Sequence, residues 1–192
     1  MNNGKNDLTE GSIGRKLISF FLPIAAGTLF QQLYNAADAI VVGKFVGTIA
    51  LAAVGGSAAH ITNLLIGFFV ALSGGSTVVI AQLFGAKDEE SIQKATGTAI
   101  AFCIISGIVL TIVGFAFTPV FLRVLQSPPD TIAESTTYLR IVFLGVTAQL
   151  LYNMEAGMLQ AVGDSKSPFI YLFICCMFNI FLDLLLVAVF KM

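Results

Sequence analysis

Read for hydrophobicity alone, the 192-residue chain is a succession of apolar runs separated by short polar breaks. Crossing a hydrocarbon core takes roughly 20 apolar residues in a helix. Five runs reach that length, at about residues 17–42, 54–84, 92–125, 131–162 and 168–190. Turn chemistry fills the breaks. The stretch from Gly85 to Glu90 separates the second run from the third, and Gln126, Ser127, Pro128, Pro129 and Asp130 separate the third from the fourth, where two prolines forbid helix continuation. Gly163 to Pro168 follows the fourth run, with Ser167 expected as an N-cap and Pro168 as the first helical residue of the fifth. The three middle runs are longer than a bilayer needs, which implies tilt or extension into the interface rather than extra spans. The pattern predicts an all-α polytopic membrane protein with about five transmembrane helices over residues 17–192, preceded by a polar tail at residues 1–16.

Composition agrees with that pattern. The chain is 57% hydrophobic and 11% charged, where a soluble domain carries about a quarter charged residues. Eighteen glycines and no tryptophan predict closely approaching helices, because packing rather than hydrophobicity drives association in lipid. A net charge of -1, with charges gathered at the ends of apolar runs, leaves no basic patch for nucleic acid. Cys103, Cys175 and Cys176 lie inside apolar runs without metal-ligand spacing and read as small buried hydrophobes.

The segment MNNGKNDLTEGSIGRK lacks the pattern of a cleaved signal peptide and reads as a retained cytoplasmic tail. With that end inside, the inner segments carry Lys5, Arg15, Lys16, Lys87, Lys94 and Lys166 against Lys44, Arg123, Arg140 and Lys191 outside, the better of the two topologies. No internal repeat is visible. An odd helix count suits a part of a transporter better than a whole one, since many such folds pair two related halves.

Ionisable side chains inside membrane helices cost about 2.5 to 3.5 kcal/mol at the centre on insertion scales, so they mark pathways, partners or water cavities. Asp38 sits late in the first run and Asp183 late in the fifth, and on this topology both fall in the outer half. Gln31, Tyr34, Asn35 and Asp38 are three, four or seven residues apart and share one helical face, expected to point inward. Asn179 precedes Asp183 by one turn, so an amide and a carboxylate are presented together. Such a set can hold a proton or coordinate a sodium ion, or simply tie helices together by hydrogen bonds.

Glu155 lies near the inner end of the fourth run, where it can snorkel to the interface or line a cavity. Tyr138, taken alone, reads as an interfacial aromatic. Pro23 removes a backbone hydrogen bond within the first helix and favours a kink. His60 is a lone histidine without companions at ligand spacing, so no metal is expected beyond sodium at Asp38, Asn179 and Asp183. Gly43 with Gly47, and the Ser73 to Ser76 patch, read as packing surfaces.

Five segments, in this order, resemble the multidrug and toxic compound extrusion (MATE) family: PIAAGTLFQQLYNAADAIVVGKFVG, ALAAVGGS, STVVIAQLFGAKD, LQAVGDSKSP and NIFLD. The resemblance runs from about residue 10 to the end. It implies most of one six-helix lobe of a two-lobed transporter, without the sixth helix, so the chain is expected to be partial and to need a C-terminal lobe or a second copy.

It also implies exchange of cationic or amphipathic drugs for protons or sodium, with no other cofactor, in the cytoplasmic membrane. The family's N-lobe cation site falls on Asp38, Asn179 and Asp183, and Tyr138 joins that network. A kinked first helix corresponds to Pro23. Glu155 matches no site residue and stays, with Pro23, Gln31, Tyr34 and Asn35, a candidate for the cavity or its gating. The alternatives are a lipid-linked oligosaccharide flippase of related fold, which would want cationic residues mid-helix, and a half-size protein that dimerises or no longer transports. An intramembrane aspartyl protease is disfavoured because NAAD and IFLD are not its GxGD setting.

Overall fold

The computed structural model describes residues 12–183 and 185–186. The described chain is helical throughout, with no strand among its residues. Helix α1 covers Ile13–Val41 and passes into one π-helical turn at Val42–Val46. Gly47, at φ 116°, then turns the chain in a conformation that L side chains rarely adopt. Helices α2 (Thr48–Gly55) and α3 (Ser57–Gly85) form one rod interrupted at Gly56. Helix α4 (Glu89–Val124) is followed by a 3-10 turn at Pro129–Thr131, then α5 (Ile132–Ala161) and α6 (Lys166–Asp183).

The second rod therefore starts at Thr48, earlier than the expected residue 54, because Gly47 makes the turn and the ALAAVGGS segment is already helical. Residues 13–16 belong to α1 rather than to a tail, while residues 1–11 and the expected end near 190 lie outside the described residues. Ser167 is not the cap of α6. The helix begins at Lys166, and the Asp164 carboxylate caps it, accepting from the backbone N–H groups of Lys166 and Ser167 at 3.1 Å each and from the Ser167 hydroxyl at 2.6 Å. Pro168 falls in the first turn, where its missing N–H leaves no intrahelical bond broken.

Three helices share one device at their C-terminal ends. After α5, the N–H of Gly163 bonds to Gln160 O and that of Asp164 to Leu159 O, a Schellman closure with Gly163 at φ 87°. The same pair of bonds closes α3 through Lys87 and Asp88, and α4 through Gln126 and Ser127. There the left-handed position is held by non-glycine residues, Lys87 at φ 56° and Gln126 at φ 51°.

Among the described residues, four rods are long and apolar enough to cross a membrane: Gly14–Val46, Thr48–Gly85, Glu89–Val124 and Lys166–Asp183. Helix α5, which carries Glu134, Arg140 and Glu155, lies against α3 and α4 and supplies the core. Its buried stripe of Ser135, Leu139, Phe143, Val146, Leu150 and Met154 recurs every three or four residues, one face of a helix. Leu139 and Phe143 pack with Ala58, Ile61 and Leu122; Val146 and Leu150 with Ile66 and Leu110; Met154 with Ala99 and Cys103. Every layer of the trio thus takes a residue from α5.

Glycines set the spacing. A Cβ on Gly107 would run into Thr147, one on Gly114 into the Phe143 ring, and one on Gly157 into the Thr77 hydroxyl. The Gly74 and Gly75 patch, by contrast, has nothing within 4 Å, so it is no packing surface within the described chain. Helices α1 and α6 stand beside the trio as a parallel pair, joined by an aromatic cluster in which Phe30 meets Phe173 edge-on at 5.3 Å and Phe169 at 6.0 Å.

Candidate functional site

The two carboxylates come together where α1 and α6 end. Both helices run in the same direction, so the contact that starts with Pro23 beside Lys166 and Phe169 finishes with Asp38 beside Asp183. The Asp38 carboxyl meets that of Asp183 at hydrogen-bonding reach, and both side chains are half-buried. Tyr34, one turn before Asp38 on the same face, is close enough to both carboxylates and to Tyr138 for electrostatic interaction. Tyr138 comes from α5 and stands against one end layer of the trio, packed on the cluster of Ala58, Ile61, Leu122, Leu139 and Phe143. The site therefore lies on the seam between the pair and the trio.

Two oxygens there have no hydrogen-bond donor: Asp38 Oδ1 and Asn179 Oδ1 are buried and unpartnered. Leaving a buried acceptor unpaired costs about 1–3 kcal/mol. The arrangement offers amide and carboxylate oxygens to a cation while supplying no cationic side chain of its own. No group of three or more His, Cys, Asp or Glu side chains suited to a metal ion occurs among the described residues.

The polar strip expected on α1 divides in two. Tyr34 and Asp38, on its α6 side, are half-buried, whereas Gln31 and Asn35, rotated away by a fraction of a turn, are exposed, and Asn35 bonds to Gln32 at 3.4 Å instead. Glu155 is exposed on α5, nearly five turns from Tyr138 along the helix and away from the carboxylate pair. Pro23 lies at the opposite end of the α1–α6 contact.

One neighbour was not singled out by sequence reasoning. Cys176 is buried and interacts electrostatically with Asp38 and Tyr34. Its signal was present, since Cys176, Asn179 and Asp183 are spaced three and four apart on one face of α6. Cys175 points the other way and is exposed, not buried as its apolar setting suggested. His60 is occupied by its own helix, with Nδ1 at 3.0 Å from Gly56 O.

The MatE family model matches residues 23–185, which contain every residue of the seam site. Among similar proteins, the "Probable multidrug resistance protein YoeA" of Bacillus subtilis is 33% identical over 90% of this chain and 37% of its own length. The "Probable multidrug resistance protein NorM" of Thermotoga maritima is 27% identical over 89% of this chain and 36% of its own. A solved structure described as the outward-facing conformation of a multidrug resistance MATE family transporter superposes with a TM-score of 0.87 at 24% identity, covering 97% of this chain and 41% of that one. A MOP superfamily transporter from Pyrococcus furiosus gives 0.88 at the same identity. The chain spans about two-fifths of the length of the relatives and structures it matches.

Proposed function

Because the chain belongs to the MatE family and is a multi-pass membrane protein, we propose that it forms the cation-coupling part of a secondary antiporter that exports cationic or amphipathic compounds. In this reading it corresponds to an N-terminal lobe and works with a second lobe or a second copy, in the cytoplasmic membrane with its N-terminus inside. The observation that carries the reading is the meeting of Asp38 and Asp183 across α1 and α6, with Tyr34 and Tyr138 beside them. Two carboxylates this close do not both ionise comfortably without a shared proton or a bound cation.

The donor set bears on which ion serves. A proton shared by the carboxylate pair satisfies the two aspartates, while the unpartnered Asn179 Oδ1 adds a third oxygen that a coordinated ion can use. Hard cations take oxygen ligands of this kind. Sodium is therefore the preferred coupling ion in this proposal, and the proton its competitor for the same carboxylates.

Binding would act on α1. An ion held between Asp38 and Asp183 draws the ends of α1 and α6 together, and the π-helical turn that begins four residues after Asp38 provides a place where α1 can change its winding. The ion shifts the equilibrium only by binding one arrangement better than the other, and export follows if the drug prefers the opposite one. One charge moving through 100 mV supplies about 2.3 kcal/mol, enough for tens-fold accumulation.

The test is ethidium efflux from cells expressing the complete transporter, driven by a sodium or a proton gradient. Asp38→Asn and Asp183→Asn are each expected to abolish gradient-dependent efflux, and Asn179→Leu to abolish the sodium-driven part. Unchanged coupling in both aspartate variants contradicts the proposal.

A further inference from the structure

At the end of the α1–α6 pair opposite the carboxylates, the two helices part around a groove of about 450 Å³ lined by Leu22, Pro23, Ala26, Lys166, Phe169 and Ile170. Five of these six are apolar, and Lys166 is the one charge. Its size lies within the range of about 300–1,000 Å³ typical of small-molecule sites. Leu22 is 60% exposed and Ile170 51%, and both continue an apolar outer surface formed by Ile18, Phe21 and Ile174. Apolar surface on helices long enough to cross a membrane is suited to acyl chains.

Lys166 differs from the other groups at this end. The neighbouring Asp164 carboxylate is engaged by two backbone N–H groups and the Ser167 hydroxyl. Lys166 itself is exposed and makes no salt bridge among the described residues, its interaction with the Asp164 carboxylate being a longer-range one. The start of α6 offers no vacant N–H for an anion at these positions, because Asp164 already caps them. What remains is an apolar groove with the exposed Lys166 ammonium at its mouth, on the side of the bundle where α1 also carries Arg15 and Lys16.

We propose that this groove is a binding site for an anionic phospholipid, one acyl chain lying against Pro23, Ala26 and Phe169 and the headgroup phosphate paired with Lys166. Charge complementarity selects this occupant. A lipophilic cation of the kind proposed as transport substrate would meet the Lys166 charge unfavourably, and a zwitterionic lipid would present its own ammonium beside it. Basic positions between membrane helices at the cytoplasmic side are suited to anionic headgroups in general. The site is separate from the carboxylate seam and does not depend on its coupling role.

The test is native mass spectrometry of the purified chain released from micelles doped with phosphatidylglycerol or phosphatidylcholine of identical acyl composition. Retention of phosphatidylglycerol is expected to exceed that of phosphatidylcholine about tenfold, a difference of about 1.4 kcal/mol. Lys166→Gln is expected to remove the preference and Lys166→Arg to keep it. Ala26→Phe, which fills the groove and leaves the lysine in place, is expected to lower retention of both lipids. Equal retention of the two lipids by the unaltered chain overturns the proposal, as does a preference that survives Lys166→Gln. A preference that survives Ala26→Phe at full strength also overturns it, because the lysine would then be acting without the groove. Circular dichroism of each variant separates loss of the site from loss of the fold.

Discussion

The trio α3–α4–α5 and the pair α1–α6 are built from the same residue types and held together differently. In the trio, glycines let helices approach until Phe143 rests on Gly114 and Thr147 on Gly107, and fully buried side chains fill three successive layers. Some polar groups there bond across helices, with Ser135 Oγ donating to Ala53 O at 3.1 Å and Thr111 Oγ1 to Phe143 O at 2.8 Å, although the buried Thr62 Oγ1 and Arg140 Nε have no hydrogen-bond partner. The pair has little of this. Apart from Gly27, no described α1 residue is buried, α6 buries Pro168 and Cys176, and the contact between them is an aromatic cluster followed by two carboxylates. The difference teaches where movement is affordable. A packed core is stiff, whereas a pair held by a few rings and a contact between two carboxylates can be repositioned at lower cost.

The same substitution on each side of the seam measures that contrast. Phe143→Ala is expected to destabilise the chain by about 3–5 kcal/mol, because it empties a site with no exposed surface and undoes the Gly114 contact. Phe30→Ala on the pair removes two ring contacts from a half-buried position and is expected to cost about 1 kcal/mol. Unfolding titrations in bicelles compare them directly. Equal losses would break the distinction between a stiff trio and a yielding pair.

A smaller effect tests how the pair is anchored. Asp164 fixes the start of α6, and its carboxyl is partly buried, which pushes its pKa up. The bonds from Ser167 and Lys166 outweigh that and hold it below the usual carboxylate range. With the folded value depressed, the cap's contribution is complete above about pH 4, the ordinary aspartate value, and is lost as pH falls through the lowered one. Asp164→Ala is expected to cost about 1 kcal/mol at pH 7 and to flatten the acid limb of the stability profile. A variant with the same acid limb as the parent would show that α6 is anchored elsewhere.

The smallest expected change is a gain. Gln126 holds a left-handed backbone position at the end of α4 that suits glycine better, so Gln126→Gly is expected to add up to about 1 kcal/mol to the stability of the trio. The same replacement at Lys87 should act in the same direction at the end of α3. No gain at either position would mean that the side chain contributes contacts worth as much as the strain it bears.

Much of this was legible in the order of residues, for physical reasons that differ along the chain. The runs and their breaks show because lipid demands long apolar helices and because the segments at 85–90, 126–130 and 163–168 interrupt them. The site aspartates stood out because a charge inside an apolar run has few innocent explanations. What stayed hidden depends on partners distant in sequence. The Gly107, Gly114 and Gly157 contacts exist only once Thr147, Phe143 and Thr77 are opposite them, whereas the more conspicuous Gly74 and Gly75 have no neighbour. The division of the α1 strip, with Tyr34 and Asp38 half-buried and Gln31 and Asn35 exposed, turns on which edge α6 covers. Spacing within one helix does not settle that. The capping role of Asp164 was masked by Ser167, a common N-cap type three residues later.

The central claim is that Asp38 and Asp183 form one ion-binding unit. It is tested most directly by the shift in thermal unfolding that sodium causes in the purified chain in nanodiscs, measured for the unaltered protein, Asp38→Asn, Asp183→Asn and the double variant. A single shared site is expected to give a sodium-dependent rise in melting temperature that either substitution removes entirely, with the double variant no different from the single ones. Two partial losses that add up in the double variant, or a rise that persists in it, would contradict a site built jointly by the two carboxylates.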